Sequence, residues 1–172
     1  MAEALAKISQ VQGLGMIQIR ANLLRSGEVI ARAVDLVLPA PMLTTRQGER
    51  MLGWMSPDEL ILIAPQPQIA GLLAALEEAL EGHHALVVDV SDMRVVFDIQ
   101  GARADQALAK LCPADAANLP EAGLRRTRAA QAACGFWRHG QGFRLMGFRS
   151  VADYLRGILE GAAAPGTHLD PR

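Results

Sequence analysis

The sequence predicts an α+β fold of two small, closely packed subdomains, each an antiparallel or mixed sheet with two helices. Three observations predict it. Strand-length segments come in groups joined by short turns, and four segments with helical spacing of apolar residues interrupt those groups. The resulting order, strand, helix, strands, helix, strands, helix, strands, helix, lacks the strict alternation of a doubly wound parallel sheet. A chain of 172 residues is long enough for one compact body or two such subdomains, and too short for two large independent domains. A boundary near Ser91 divides it into an N-terminal subdomain (1–90), a C-terminal subdomain (91–160) and a flexible Gly/Ala/Pro tail (161–172).

From Met16 to Leu23 apolar Ile17, Ile19, Ala21 and Leu23 alternate with Gln18, Arg20 and Asn22, the period of a half-buried strand. Ser26 is a plausible N-cap, after which Val29, Ile30, Ala33, Val34 and Val37 recur at helical spacing until Pro39. Leu43 to Arg46 and Arg50 to Trp54 read as strands around a Gly48 turn. Ser56-Pro57-Asp58-Glu59 resembles a helix start, but a helix caught between Pro57 and Pro65 has under two turns. A turn feeding a buried strand, Leu60 to Ala64, satisfies every residue better.

Ile69, Leu72, Leu73, Leu76 and Leu80 follow the i, i+3, i+4, i+7 pattern and predict the clearest helix, with Gly82 as its C-cap. Ala85 to Val90 and Val95 to Ile99 read as strands joined through Ser91 and Asp92. Gly101 opens a helix with an inner face of Ala104, Ala107, Leu108 and Leu111. Cys112 to Gly123 has no period and is a loop. Strands follow at Leu124 to Thr127, Gln131 to Trp137 and Gly142 to Met146, the last two joined by a His139-Gly140-Gln141 hairpin. A final helix from Ser150 buries Val151, Tyr154, Leu155, Ile158 and Leu159. No repeat is evident by residue identity, although each half echoes the other in element order.

Composition narrows the function. With 51% apolar residues, 20% charged residues and a net charge of −1, the chain is an ordinary globular protein, which argues against disorder and against strong polyanion binding. No run of 18 uncharged apolar residues exists, and the N-terminus lacks the basic start and long apolar centre of a secretory signal. A cytoplasmic chain with no membrane partner is expected. Cys112 and Cys134 form no paired motif and read as small buried hydrophobes.

Catalytic signatures are missing: there is no phosphate-cradling glycine loop, dinucleotide fingerprint or nucleophile elbow, and Gly13-Leu14-Gly15 precedes a strand instead of linking strand to helix. His83 and His84, near Glu78 and Glu81, are better explained as dipole partners of a helix C-terminus than as metal ligands. No catalytic, cofactor-binding or metal-binding residue is therefore assigned. Arg125, Arg126, Arg128, Arg138, Arg144, Arg149 and Arg156 make the C-terminal half locally basic. That face could be merely solvated, or meet an acidic protein surface, a folate carboxylate or RNA phosphates, and stacking aromatics for nucleic acid are absent. Trp and Arg are enriched at interface hot spots, so Trp54, Arg125, Arg126 and Arg149 are the candidate interface residues.

One set of phrases carries a resemblance. Trp54-Met55-Ser56-Pro57-Asp58-Glu59-Leu60-Ile61-Leu62, Val88-Asp89-Val90-Ser91-Asp92, Phe97-Asp98-Ile99-Gln100-Gly101, Arg126-Thr127-Arg128, Phe143-Arg144-Leu145 and Arg149-Ser150-Val151-Ala152-Asp153-Tyr154-Leu155, in that order and spacing, resemble the gamma subunit of heterotetrameric sarcosine oxidase. The resemblance implies a fold similar to the folate-binding region of aminomethyltransferases. It also implies alpha, beta and delta subunits as partners, no nucleic acid, and an assembly that demethylates sarcosine oxidatively to glycine with hydrogen peroxide and methylenetetrahydrofolate. FAD, FMN, NAD, zinc and tetrahydrofolate then belong to the partner subunits, with none in this chain. A standalone folate-binding or one-carbon transfer protein is the alternative expectation, for which Asp89, Asp92 and Asp98 are the available carboxylates. An RNA-associated protein is a third.

Overall fold

A computed structural model describes residues 3–169. They form two compact units, one running from Gly13 to Asp92 and the other combining the segment up to Gln12 with that from Met93 onward.

In the Gly13–Asp92 unit, β2 (Leu14–Ala21), β3 (Thr44–Gln47), β4 (Arg50–Ser56), β5 (Glu59–Pro65) and β6 (Ala85–Asp89) form a sheet of order β3-β4-β5-β2-β6, every pair antiparallel. Two helices, α1 (Leu23–Ala33) and α2 (Ile69–Ala79), cover one face. Between them and the sheet lie Ile17, Ile19, Leu52, Leu60 and Leu62, all at 0% exposure, with Ile30, Leu72 and Leu76 from the helices. Alternation sends Met16, Ile61 and Ile63 to the other face, where they too are buried. A strand buried on both faces needs the unbroken apolar run seen from Leu60 to Ala64, so the turn-then-strand reading of this segment holds.

The other unit contains β1 (Lys7–Gln10), β7 (Arg94–Gln100), α3 (Ala104–Leu111), β8 (Leu124–Ala129), β9 (Ala132–His139), β10 (Gly142–Phe148) and α4 (Ala152–Ala163). Its antiparallel sheet has the order β1-β7-β10-β9-β8. Phe97, Ile99, Phe136, Phe143 and Leu145 meet Ala107, Leu108, Leu155 and Leu159 in its core. Phe136 and Phe143 pack edge to face with centroids 5.9 Å apart, a geometry favoured by the ring quadrupole.

The two sheets are built on one plan. Replacing β2, α1, β3, β4, β5 and α2 by β7, α3, β8, β9, β10 and α4 reproduces the second order from the first, with β1 standing where β6 stands. One outer strand follows its second helix in the chain, and the other comes from the N-terminal segment. The echo in element order is thus a repeated topology without repeated residues.

Several expectations are corrected in detail. Helix α1 starts four residues early: Asn22 is its N-cap, its Oδ1 accepting from Arg25 N at 3.3 Å, while Ser26 sits inside the helix and is buried. Asn caps as well as Ser does, and β2 ends at Ala21, so the chain turns there. The same helix ends at Ala33, not Val37. Asp35 takes a left-handed φ of 56°, and Leu36 N and Asp35 N donate back to Ala31 O and Arg32 O, a Schellman closure that leaves Val37 73% exposed.

Gly82, at φ 79°, lies in the turn after the α2 C-cap Leu80. Strands β6 and β7 do not share a sheet, because a single 3-10 turn at Ser91–Met93 carries the chain from one sheet to the other. Another 3-10 turn, Arg149–Val151, delays α4 and sets its phase. Leu155 packs on the bare backbone of Gly147, where a Cβ would lie 2.3 Å from its Cδ1, and Tyr154 is left 44% exposed instead of buried. The helix also continues beyond 160, and Ala162 and Ala163 are buried.

Two stability predictions follow from this packing. A Cβ at Gly142 would sit 2.0 Å from the backbone Ile99 O of the neighbouring strand, whereas one at Gly157, inside α4, meets nothing within 4 Å. In urea titrations Gly142→Ala is expected to cost about 1–3 kcal/mol, and Gly157→Ala to gain about 0.5–1 kcal/mol from helix propensity. In the β4–β5 turn the Asp58 carboxylate accepts from Ser56 Oγ at 2.6 Å and from Arg20 Nη2 at 2.6 Å. Those two donors lower its pKa, so its contribution is present above the ordinary carboxylate range and fades as pH falls through the lowered value. Asp58→Asn should therefore flatten the acid limb of a Tm-against-pH curve; an unchanged acid limb contradicts this.

Candidate functional site

Strand β2 ends where α1 begins, and the turns and loops gathered there leave an open groove of about 1170 Å³. Trp54, Leu23, Leu38 and Pro39 supply its apolar wall, with Leu24 fully exposed and Leu86 52% exposed at its lip. Trp54 reaches this place because it pairs with Leu60 across β4 and β5, which turns its ring to the helix-covered face, half-buried. The rim is polar. Arg20 pairs with Asp58, and the buried Ser26 hydroxyl shares a 2.8 Å hydrogen bond with His83 Nδ1. His84 and Arg25 complete it.

This arrangement suits contact more than chemistry. Two ionisable groups are already neutralised against each other, His83 is tied to Ser26, and the wall offers apolar area around a half-buried Trp. Among the described residues no three His, Cys, Asp or Glu side chains stand close enough to hold a metal ion. His83 and His84 lie on the groove's rim, not in a cluster with Glu78 and Glu81.

Trp54 alone of the four candidate interface residues lines the groove; the three arginines belong to the other unit. Arg125 pairs with Phe136 and so lies on the helix-covered side of β8, while Arg126, opposite Gly135, projects from the other side. Arg126 and Arg149 are exposed, and Arg149 lies in the 3-10 turn before α4. The strand pairing therefore separates Arg125 from Arg126 instead of bringing them together.

Other arginines of the basic stretch serve the fold. Arg138 donates to Leu119 O at 2.6 Å and Ala117 O at 2.8 Å, holding the irregular segment after α3, and its guanidinium stacks 5.2 Å from the Phe143 ring. Arg144 pairs with Asp98 at 3.0 Å across the β7–β10 ladder. Arg156 donates to Gln10 Oε1 at 2.7 Å and lies over Phe97. A charge cluster in sequence is thus dispersed by alternation and by these local roles.

The remaining chemistry-bearing groups are also absorbed locally. Asp89 accepts from Ser91 N at 2.9 Å, ordering the chain after β6, and Ser91 Oγ in turn accepts from Met16 N at 2.9 Å. Cys112 and Cys134 are both buried, as expected, and meet in the core of the second unit. The hydrogen bond shared with Cys112 and burial together raise the Cys134 pKa, which keeps that thiol protonated and unreactive. Sequence reasoning missed the groove itself, since placing the helix start at Ser26 hid the Asn22 cap; an Asn following the last alternating residue of β2 was the available signal.

Comparison with known proteins gives these features a family. A model of the family described as "Sarcosine oxidase, gamma subunit family" matches residues 25–165. Sarcosine oxidase gamma subunits from Arthrobacter sp and Corynebacterium sp. (strain P-1) are each 42% identical over 62 residues, a stretch that is 36% of this chain and 30% of each relative. The matched stretch thus spans under a third of those relatives' length. A chain of the heterotetrameric sarcosine oxidase from Corynebacterium sp. U-96, solved with pyrrole 2-carboxylate, superimposes with a TM-score of 0.87 at 24% identity, covering 100% of this chain and 91% of that one. Aminomethyltransferase T of the glycine cleavage system from Bartonella henselae gives a TM-score of 0.70 at 18% identity over 93% of this chain and 46% of that one. These two likenesses establish a shared fold, as the resemblance implied. By the match over residues 25–165, the chain belongs to the sarcosine oxidase gamma subunit family.

Proposed function

We propose that this chain acts as the non-catalytic gamma subunit of a heterotetrameric sarcosine oxidase, an assembly that converts sarcosine oxidatively to glycine with hydrogen peroxide and methylenetetrahydrofolate. The observation that carries the proposal is the family match across most of the chain. Its concave surface supports the same reading: an apolar groove with a half-buried Trp54 and internally satisfied polar groups suits a protein contact. Alpha, beta and delta subunits are the partners in this reading, and FAD, FMN, NAD, zinc and tetrahydrofolate are held by them. Among the described residues no helix is long and apolar enough to cross a membrane, and a cytoplasmic assembly goes with the proposal.

A standalone folate binder gains nothing specific from the fold, since Asp98 is paired with Arg144 and Asp89 is occupied by Ser91. The test is co-expression with the flavin-bearing subunits. A stable complex is expected, and the isolated chain should be colourless and inactive with sarcosine. Full activity reconstituted without this chain, or heat released when millimolar tetrahydrofolate is titrated into it alone, contradicts the proposal.

A further inference from the structure

Four strands lie at sheet edges: β3, β6, β1 and β8. An exposed edge offers unpaired backbone groups to any passing strand, and proteins protect such edges with charge, proline or bulges. Three of the four are protected by composition. Strand β1 carries Lys7, β3 is Thr-Thr-Arg-Gln, and β8 carries Arg125, Arg126 and Arg128. Strand β6 is Ala-Leu-Val-Val-Asp, uncharged until its last residue.

The register identifies the groups on offer. Val90 N donates to Met16 O, and pairing alternates along the ladder, so Gln18 with Val88 and Arg20 with Leu86 exchange hydrogen bonds. The backbone groups of Ala85, Val87 and Asp89 then point to the open edge, where no described residue accepts from or donates to them. Leu86 is 52% exposed and Val88 37% exposed on the face away from α1 and α2, while Val87 packs into the core. Leu86 is also the lip of the groove. Within that groove Asp58 neutralises Arg20, but Arg25 has no carboxylate within ion-pair distance among the described residues.

We propose that β6 is completed, in the assembled enzyme, by an extended segment of another subunit that adds as a sixth strand. The segment pairs with the backbone of Ala85, Val87 and Asp89, lays apolar side chains beside Leu86 and Val88, and presents a carboxylate to Arg25 where it passes the groove. Main-chain pairing supplies affinity in this mode and alternate side chains supply specificity. This inference rests on the subunit reading above and assigns the surface that serves it.

The test is hydrogen–deuterium exchange of the chain alone and of its complex with the co-expressed sarcosine oxidase subunits, together with a Leu86→Lys, Val88→Lys double variant. Both altered side chains are exposed, so the variant's own Tm should hold. The Ala85, Val87 and Asp89 amides are expected to exchange rapidly in the free chain and at least about tenfold more slowly in the complex, and the variant to lose at least about tenfold in recovery with the partners. A complex that forms with these amides still exchanging rapidly, or a variant that assembles like the parent, overturns the sixth strand and leaves the subunit reading standing. Protection already present in the free chain through self-association also overturns it. No complex at all removes both.

Discussion

Each sheet depends on an interior strand that must be hydrogen-bonded on both sides by chain that is remote in sequence. Strand β2 is flanked by β5 and β6, and β7 by β10 and β1. Until those partners arrive, the donors and acceptors on the flanks of Ile17 and Ile19, or of Phe97 and Ile99, have no protein partner, and burying them unpaired is unfavourable. Helix docking then follows, because α1, α2, α3 and α4 all pack on side chains that the completed ladders align. Such non-local pairing is slow to form and strongly specified once formed, since a one-residue slip would turn every core side chain to the wrong face.

That constraint occupies many of the interior polar groups with structural roles. The core faces of these strands are buried, and polar groups near them hold strands and loops in place: Arg144 on Asp98, Ser91 on Met16, Arg138 on two loop carbonyls. Surfaces that remain for function lie at strand ends and sheet edges. The groove beside Trp54 and the uncharged edge of β6 are contiguous through Leu86, and together they form an apolar margin with a cationic corner.

The legible parts of the sequence were those governed by local periodicity. The α2 stripe, the β9–β10 hairpin and the buried run of β5 could each be read from a short contiguous stretch of sequence. Boundaries set by a single backbone choice could not, as at Asp35, where a left-handed φ ends α1, or at the Arg149–Val151 turn, which decides that Leu155 and not Tyr154 faces the core. Pairing at a distance was illegible too: nothing in Lys7–Gln10 announces that it joins β7, and nothing in Ser91–Met93 announces a change of sheet. For the candidate site, Trp54 was found by residue type. The arginines were grouped by proximity in sequence, which strand alternation undoes.

The proposed place of this chain in a larger assembly rests on an uncharged strand edge beside an apolar groove. Purifying the tagged chain from its own cells and weighing the intact complex by native mass spectrometry tests this most directly. The account calls for one copy of this chain in a single particle with the flavin-bearing subunits of a sarcosine oxidase. Recovery of the chain only as a monomer or as a homo-oligomer, with the oxidase intact elsewhere in the same extract, contradicts it.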